Sequence, residues 1–398
     1  MLRFFHCLLL AGLFTHVSDL FSQDQIKGRY EMFEVSENDL ITNFLRETGG
    51  PSFSIEWSGN LQTWYESGEA AEGLSITFSQ NIIGTSNGVE TVQITAALSG
   101  STLKRVFLRV QIQPDPTAPE GFAYIRAGMF AMGSPAGEAT RLANETQHQV
   151  TLTRGFFMAT TETTWTEWDQ VRDWAVDNGY FQLSLSGRSG SIGSTGEGQP
   201  VTDLTWYDSI RWCNARSEME GKTPFYYTSS NFESVFRGGT TSAKVYPDWS
   251  ANGYRLPTEA EWEYSCRAGT TTPIFTGVIS FFEDVPLDPN TNLAGWYAGN
   301  SEMSTRPVAG KQPNAWGLYD MHGNVQEFCW DFYLPFTNQT ETDPRGLAPD
   351  SGKTLRVTRG GSYQGYAQHL RSAHRDSFTG PAASSNFSGF RLAINAGN

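Results

Sequence analysis

Asp320 and Glu327 bracket the segment Tyr319-Asp-Met-His-Gly-Asn-Val-Gln-Glu-Phe328, and two carboxylates set around a glycine bend are groups that a hard cation seeks. Calcium takes roughly six to eight oxygens from carboxylates and backbone carbonyls in a flexible shell. Gly323 lets the backbone between the two acids turn so that carbonyls face inward. An all-oxygen set of this kind suits calcium better than a transition metal. The alternative is that both acids cap turns at the surface. His322 lies in the same loop, but no second histidine stands at ligand spacing, so it reads as a hydrogen-bonded structural residue. His148, His369 and His374 are likewise isolated, although the last two lie close to Arg371 and Arg375.

Thiol chemistry rests on four cysteines, Cys7, Cys213, Cys266 and Cys329. Their spacing fits no zinc pattern, and none follows Cys329. Cys266 in Glu263-Tyr-Ser-Cys-Arg and Cys329 in Glu327-Phe-Cys-Trp-Asp sit among large apolar neighbours, which predicts packing rather than reactivity.

These groups need a frame. With 13% aromatic residues and 40 glycines in 398, the chain reads as a compact, loop-rich fold in which rings anchor irregular segments. Trp165, Trp168, Val171 and Trp174 recur at helical spacing and predict a helix over 163–177. Trp206, Ile210 and Cys213 predict another over 205–216. Both stripes read as core. Upstream, Phe53–Trp57, Leu74–Phe78, Val92–Ala96 and Val106–Val110 alternate with period two, the pattern of a small antiparallel sandwich.

The expected organisation is therefore a secretory signal over 1–22, a β-sandwich over 23–112, a proline-rich linker over 113–119 and a large domain over 120–398. The signal carries one basic residue, Arg3, and a short apolar run; it implies export to the periplasm or the extracellular space. No later apolar run is long enough to span a bilayer. A formal net charge of −14 with no Lys/Arg run argues against a nucleic-acid partner.

An ordered series of segments carries a resemblance. It runs through Met129-Phe-Ala-Met-Gly-Ser134, Glu145-Thr-Gln-His148, Phe157-Met-Ala-Thr-Thr-Glu162 and Pro200-Val-Thr-Asp-Leu-Thr-Trp206. It continues through Tyr254-Arg-Leu-Pro-Thr-Glu-Ala-Glu-Trp-Glu-Tyr264, Pro313-Asn-Ala-Trp-Gly-Leu-Tyr-Asp-Met-His-Gly-Asn-Val-Gln-Glu327, Arg359-Gly-Gly-Ser-Tyr363 and Ser388-Gly-Phe-Arg-Leu-Ala393. In this order they resemble the formylglycine-generating enzyme, or sulfatase-modifying factor, family.

The resemblance implies a mixed α+β, irregular, C-type-lectin-like fold, here preceded by the small all-β domain, which looks like bacterial immunoglobulin-like modules. It also implies structural calcium, with side chains from Asp320 and Glu327 and carbonyls from Gly323 and Val325, and a second site near Asn292 to Asn300 in which Asn292 is a ligand. Ser362, Tyr363, Arg371, Arg375 and Arg391 would line the family's cleft, where a peptide, protein or small-molecule ligand binds. Arginines there would grip carboxylate, phosphate or peptide backbone, or else satisfy buried carbonyls.

In the family's enzymes a cysteine pair just after Gly-Gly-Ser-Tyr binds Cu(I) and activates oxygen. Here Gln364, Gly365 and Tyr366 follow, so copper is not expected and enzymatic activity stays open. Gln326 stands where the family often has Trp. The expected function is that of an exported, calcium-stabilised binding module; the alternative is an oxidase acting on an exported protein.

Overall fold

The computed structural model describes residues 115–397 apart from 192–195, 240–243, 350 and 378–379, together with the backbone of strands between residues 29 and 112. The signal segment and Cys7 lie outside the described residues. By its internal contacts the chain divides into two compact units, Met1–Asp115 and Pro116–Asn398.

In the first unit, Val106–Ile112 runs between Arg29–Phe33 and Phe53–Ser58 in an antiparallel sheet. A second antiparallel sheet orders Asp39–Glu47, Val89–Ser99, Leu74–Ser86 and Ala70–Ala71.

The second unit is mixed α/β and built from short strands. One four-stranded sheet places Tyr254–Arg255, Ala393–Asn395, Phe156–Ala159 and Phe122–Ile125 side by side, so the last strand of this unit lies one strand away from its first. A second orders Arg375–Ser377, Arg356–Arg359, Gln326–Phe332 and Ser388–Gly389. Rings fill the space between. Trp168, Trp206 and Trp212 are fully buried, and Trp168 stacks on Trp212 at 5.9 Å between centroids. Among the described residues no helix is long and apolar enough to cross a membrane.

Helix α1 (Trp165–Asp177) starts at Thr164, whose hydroxyl accepts from the Glu167 amide while Glu167 reaches back to the Thr164 amide. It buries Trp168, Val171 and Ala175; Trp165 and Trp174 pack only partly against the core. Helix α2 (Trp206–Met219) uses the same cap with Thr205 and Asp208 and is buried nearly all round, polar residues included.

Two further helices escaped the periodicity. Helix α3 (Glu259–Arg267) buries all nine of its residues, four of them charged, so no apolar stripe distinguishes a face. Helix α4 (Pro289–Ala294) is too short to show a stripe and is defined by its Asp288 cap and Pro289 at the first position.

Candidate functional site

The loop from Asp320 to Glu327 turns through left-handed backbone at Asp320 (φ 56°), Gly323 (φ 103°) and Asn324 (φ 57°). A Cβ at Gly323 would lie 2.1 Å from the Trp296 carbonyl oxygen, so only glycine fits there. The loop is pinned to its surroundings by main-chain bonds: the Gly323 amide donates to the Gly360 carbonyl at 2.8 Å and the Asn324 amide to the Trp296 carbonyl at 2.9 Å. It thereby brings together three buried carboxylates, those of Glu162, Asp320 and Glu327.

These three acids are held differently. Glu327 accepts from Arg391 Nη2 at 2.6 Å and Nε at 2.7 Å and from Trp262 Nε1 at 2.7 Å. Glu162 accepts from the Asn324 side chain at 2.7 Å and the Val325 amide at 3.0 Å. Asp320 accepts from the Ala309 amide at 2.6 Å through Oδ2, while its Oδ1 is buried without a hydrogen-bond partner. Three acids thus face one guanidinium, Arg391. Burial, reinforced by Asp320 and Glu327, raises Glu162 well above the usual carboxylate range. Burial also pushes Asp320 up to about 6, against the Ala309 hydrogen bond and the Arg391 charge.

A buried carboxylate oxygen without a donor, in a cluster with surplus negative charge, fits a hard cation. Among the described residues no group of three or more His, Cys, Asp or Glu side chains is arranged to hold a metal ion. A cation bound at Asp320 would therefore lean on backbone carbonyls, as the sequence expectation for Gly323 and Val325 requires. At Asn292 the fit fails. Its carbonyl accepts from Lys311 Nζ at 2.7 Å, and its side-chain oxygen accepts from Asn300 at 2.9 Å and from Lys311 at 3.3 Å.

The segment after Gly-Gly-Ser-Tyr departs from the expected cationic cleft. Arg371 is buried and makes paired bonds to Glu145 at 2.7 and 2.8 Å, a further bond to Glu138 at 2.8 Å and one to the Thr140 carbonyl at 3.0 Å. Arg375 closes on Glu259 through Nε at 2.7 Å, and Arg391 closes on Glu327. The reading of these three arginines as ligand-facing groups is corrected by this geometry: each charge is neutralised inside the fold, the arrangement that makes a buried guanidinium tolerable. Ser362 and Tyr363 are buried as well. The outward residues are Gln364 and Tyr366, with Gly365, Gln368 and His369 half-buried. The Tyr366 and His369 rings stack at 5.8 Å. His369 Nδ1 accepts from the Tyr366 amide at 3.2 Å, which leaves the proton of the neutral ring on Nε2.

Helix α3 holds one of these arginines and three more. Glu259 holds Arg375, Glu261 holds Arg255 through two bonds of 2.7 Å, and Glu263 holds Arg267 and Arg359. Glu145 and Glu162 belong to the same buried charge system and went unassigned in the sequence. Glu145 stands beside Asn144, Thr146 and Gln147 and Glu162 among threonines, which look like surface, and their arginine and amide partners lie far along the chain.

The cysteines among the described residues are packed in the core. Cys213, Cys266 and Cys329 are all unpaired and buried. Burial pushes the Cys266 thiol up to about 12 and raises Cys213 and Cys329 as well. Cys266 Sγ lies 3.6 Å from His322 Nε2. His322 Nδ1 donates to the Leu370 carbonyl at 2.6 Å, and burial lowers its pKa to about 4, so the ring is a neutral packing element.

A 33%-identical stretch of 203 residues, 42% of this chain and 72% of the relative, matches a protein named "Chaperone protein LppX" from Paenibacillus barcinonensis. A formylglycine-generating enzyme of Streptomyces coelicolor is 29% identical over 313 residues, 71% of this chain and 91% of the enzyme. Among solved structures, Treponema denticola variable protein 1 superposes with a TM-score of 0.56 and 27% identity, over 69% of this chain and 95% of that one. Residues 109–396 match the sulfatase-modifying factor enzyme 1-like domain, and the chain belongs to that family.

Proposed function

We propose that this protein is an exported member of the sulfatase-modifying factor family that has kept the frame but not the copper chemistry, and that it works as a calcium-stabilised binding module. The observation that carries this reading is the state of its thiols. All three cysteines among the described residues are buried with raised pKa values, and the segment after Tyr363 presents amide, phenol and imidazole instead. Cu(I) needs soft thiolate donors that oxygen does not meet through a packed core.

The binding surface in this reading is the rim from Gln364 to His369, resting on buried Ser362 and Tyr363 and braced from within by Arg371, whose Nε donates to the Gln368 carbonyl at 3.1 Å. Its ligand is a peptide, protein or small molecule. Relatives whose names speak of a chaperone and of a variable protein support a non-oxidase role for the frame. Calcium would be held by the side chains of Asp320 and Glu327 with the Gly323 and Val325 carbonyls, Glu327 keeping its ion pair to Arg391. The leading strands are proposed to form an immunoglobulin-like spacer behind a cleaved signal, and the acidic surface fits no nucleic-acid partner.

The second reading is an oxidase, favoured by the match along 91% of the Streptomyces enzyme. Incubation of purified protein with Cu(I), oxygen and a cysteine peptide, followed by mass spectrometry, separates the two. The binding reading expects no aldehyde product; turnover would overturn it. In parallel, calcium is expected to raise the melting temperature of the wild type over EDTA and to leave Asp320→Asn unmoved.

A further inference from the structure

Lys311 has no carboxylate partner in any ion pair among the described residues, yet its ammonium is closely held. It donates to the Asn292 carbonyl at 2.7 Å and side-chain oxygen at 3.3 Å. The face of Trp296 lies 3.9 Å from the nitrogen, close enough for a strong cation–π contact. Two neutral oxygens and a π face are the surroundings of a bound cation rather than of a surface lysine, which normally extends into water. Partial burial lowers the Lys311 pKa, in keeping with an ammonium that gives up part of its hydration.

No room is left for a second charge. Asn300, the other side chain at this turn, is consumed by Asn292, the Gly295 carbonyl and the Tyr297 amide. The neighbouring acid, Asp288, accepts from the amides of Ser280, Phe281 and Thr291 and from the Thr291 hydroxyl as the cap of α4. Arg306, ion-paired to the exposed Glu302 at 3.1 Å, lies 5.6 Å over the same Trp296 ring. A divalent ion would have to displace Lys311 and sit among cations with no free carboxylate, which the ligand chemistry of calcium does not allow.

We propose that Lys311 is a tethered cation occupying the place of the second calcium that the family resemblance implies around Asn292, and that this part of the fold is independent of metal. The turn it fixes is the one that supports the binding rim. The Ala298 amide donates to the Gly365 carbonyl at 2.9 Å, and the Ser301 hydroxyl donates to the Tyr363 carbonyl at 2.7 Å. Lys311 is thus a positioning residue for residues 363–365, acting through the 292–301 turn. The assignment stands apart from the calcium proposed at Asp320.

The test is limited proteolysis of the full chain with cleavage sites mapped, in EDTA and in calcium, together with calcium stoichiometry by equilibrium dialysis. In the wild type the stretch 289–312 should resist cleavage equally in both buffers. Lys311→Met should raise cleavage there about tenfold with no rescue by calcium, and Lys311→Arg should restore most of the resistance. Calcium-dependent protection of 289–312 in the wild type would overturn the proposal. So would a calcium equivalent that survives Asp320→Asn and is lost in Asn292→Ala. If Lys311→Met does not fold, the wild-type and Lys311→Arg arms still decide the matter; if its cleavage matches the wild type, the proposal fails.

Discussion

Single buried acids and imidazoles set the pH response of this protein in opposite directions. Burial, then the charge of Glu259, pushes Asp331 up to about 7. The folded chain therefore retains a proton that an unfolded aspartate releases above about pH 4. The stability this proton contributes is complete below about pH 4 and is lost as pH rises toward 7. His374 acts the other way. Burial, then Arg371, lowers its pKa to about 3, while an unfolded histidine gains a proton below about pH 6.5. Its contribution is complete above that value and lost as pH falls toward 3. Asp331→Asn preserves the acceptor for the Glu259 amide and removes only the first effect. Its melting temperature should rise more steeply than that of the wild type between pH 4 and 6.5; parallel curves would mean that Asp331 is ionised inside the fold.

At the scale of elements, the loop of residues 320–327 and the turn around Gly295 and Trp296 press together with no spare volume. A Cβ on Gly323 would meet the Trp296 carbonyl, and one on Gly295 would lie 1.4 Å from the His322 carbonyl oxygen. Gly323→Ala adds a disfavoured left-handed conformation to that overlap. It should cost about 3 kcal/mol or more, seen as loss of soluble protein or a lower urea midpoint. Helix α3 is the complementary case. Its glutamates hold four arginines, Arg255, Arg267, Arg359 and Arg375, so a helix that packs like a core element also organises charge. Removing one partner from such a pair leaves an uncompensated charge, which is why these pairs persist although an ion pair is a poor source of net stability.

For the whole molecule, the separate contact sets of Met1–Asp115 and Pro116–Asn398 predict independent folding. A fragment of residues 116–398 should melt cooperatively within a few degrees of the corresponding full-length transition, by calorimetry; a fragment that is soluble but unfolded would refute this. How far the sequence reaches differs with range. The family frame, the cores of α1 and α2 and the packing role of the cysteines were legible because they depend on local periodicity, caps and ordered motifs. Only the tertiary structure decided the roles of the charged residues. Arg371, Arg375 and Arg391 carry the same charge in a cleft as in a core. Their partners, Glu145, Glu259 and Glu327, lie 226, 116 and 64 residues away. Lys311, which nothing in the sequence singles out, gains its surroundings only when the chain folds Asn292 and Trp296 around it. A charge in sequence has no fixed meaning, because its energy depends on which oxygens the fold brings within about 3 Å and on how much water it removes.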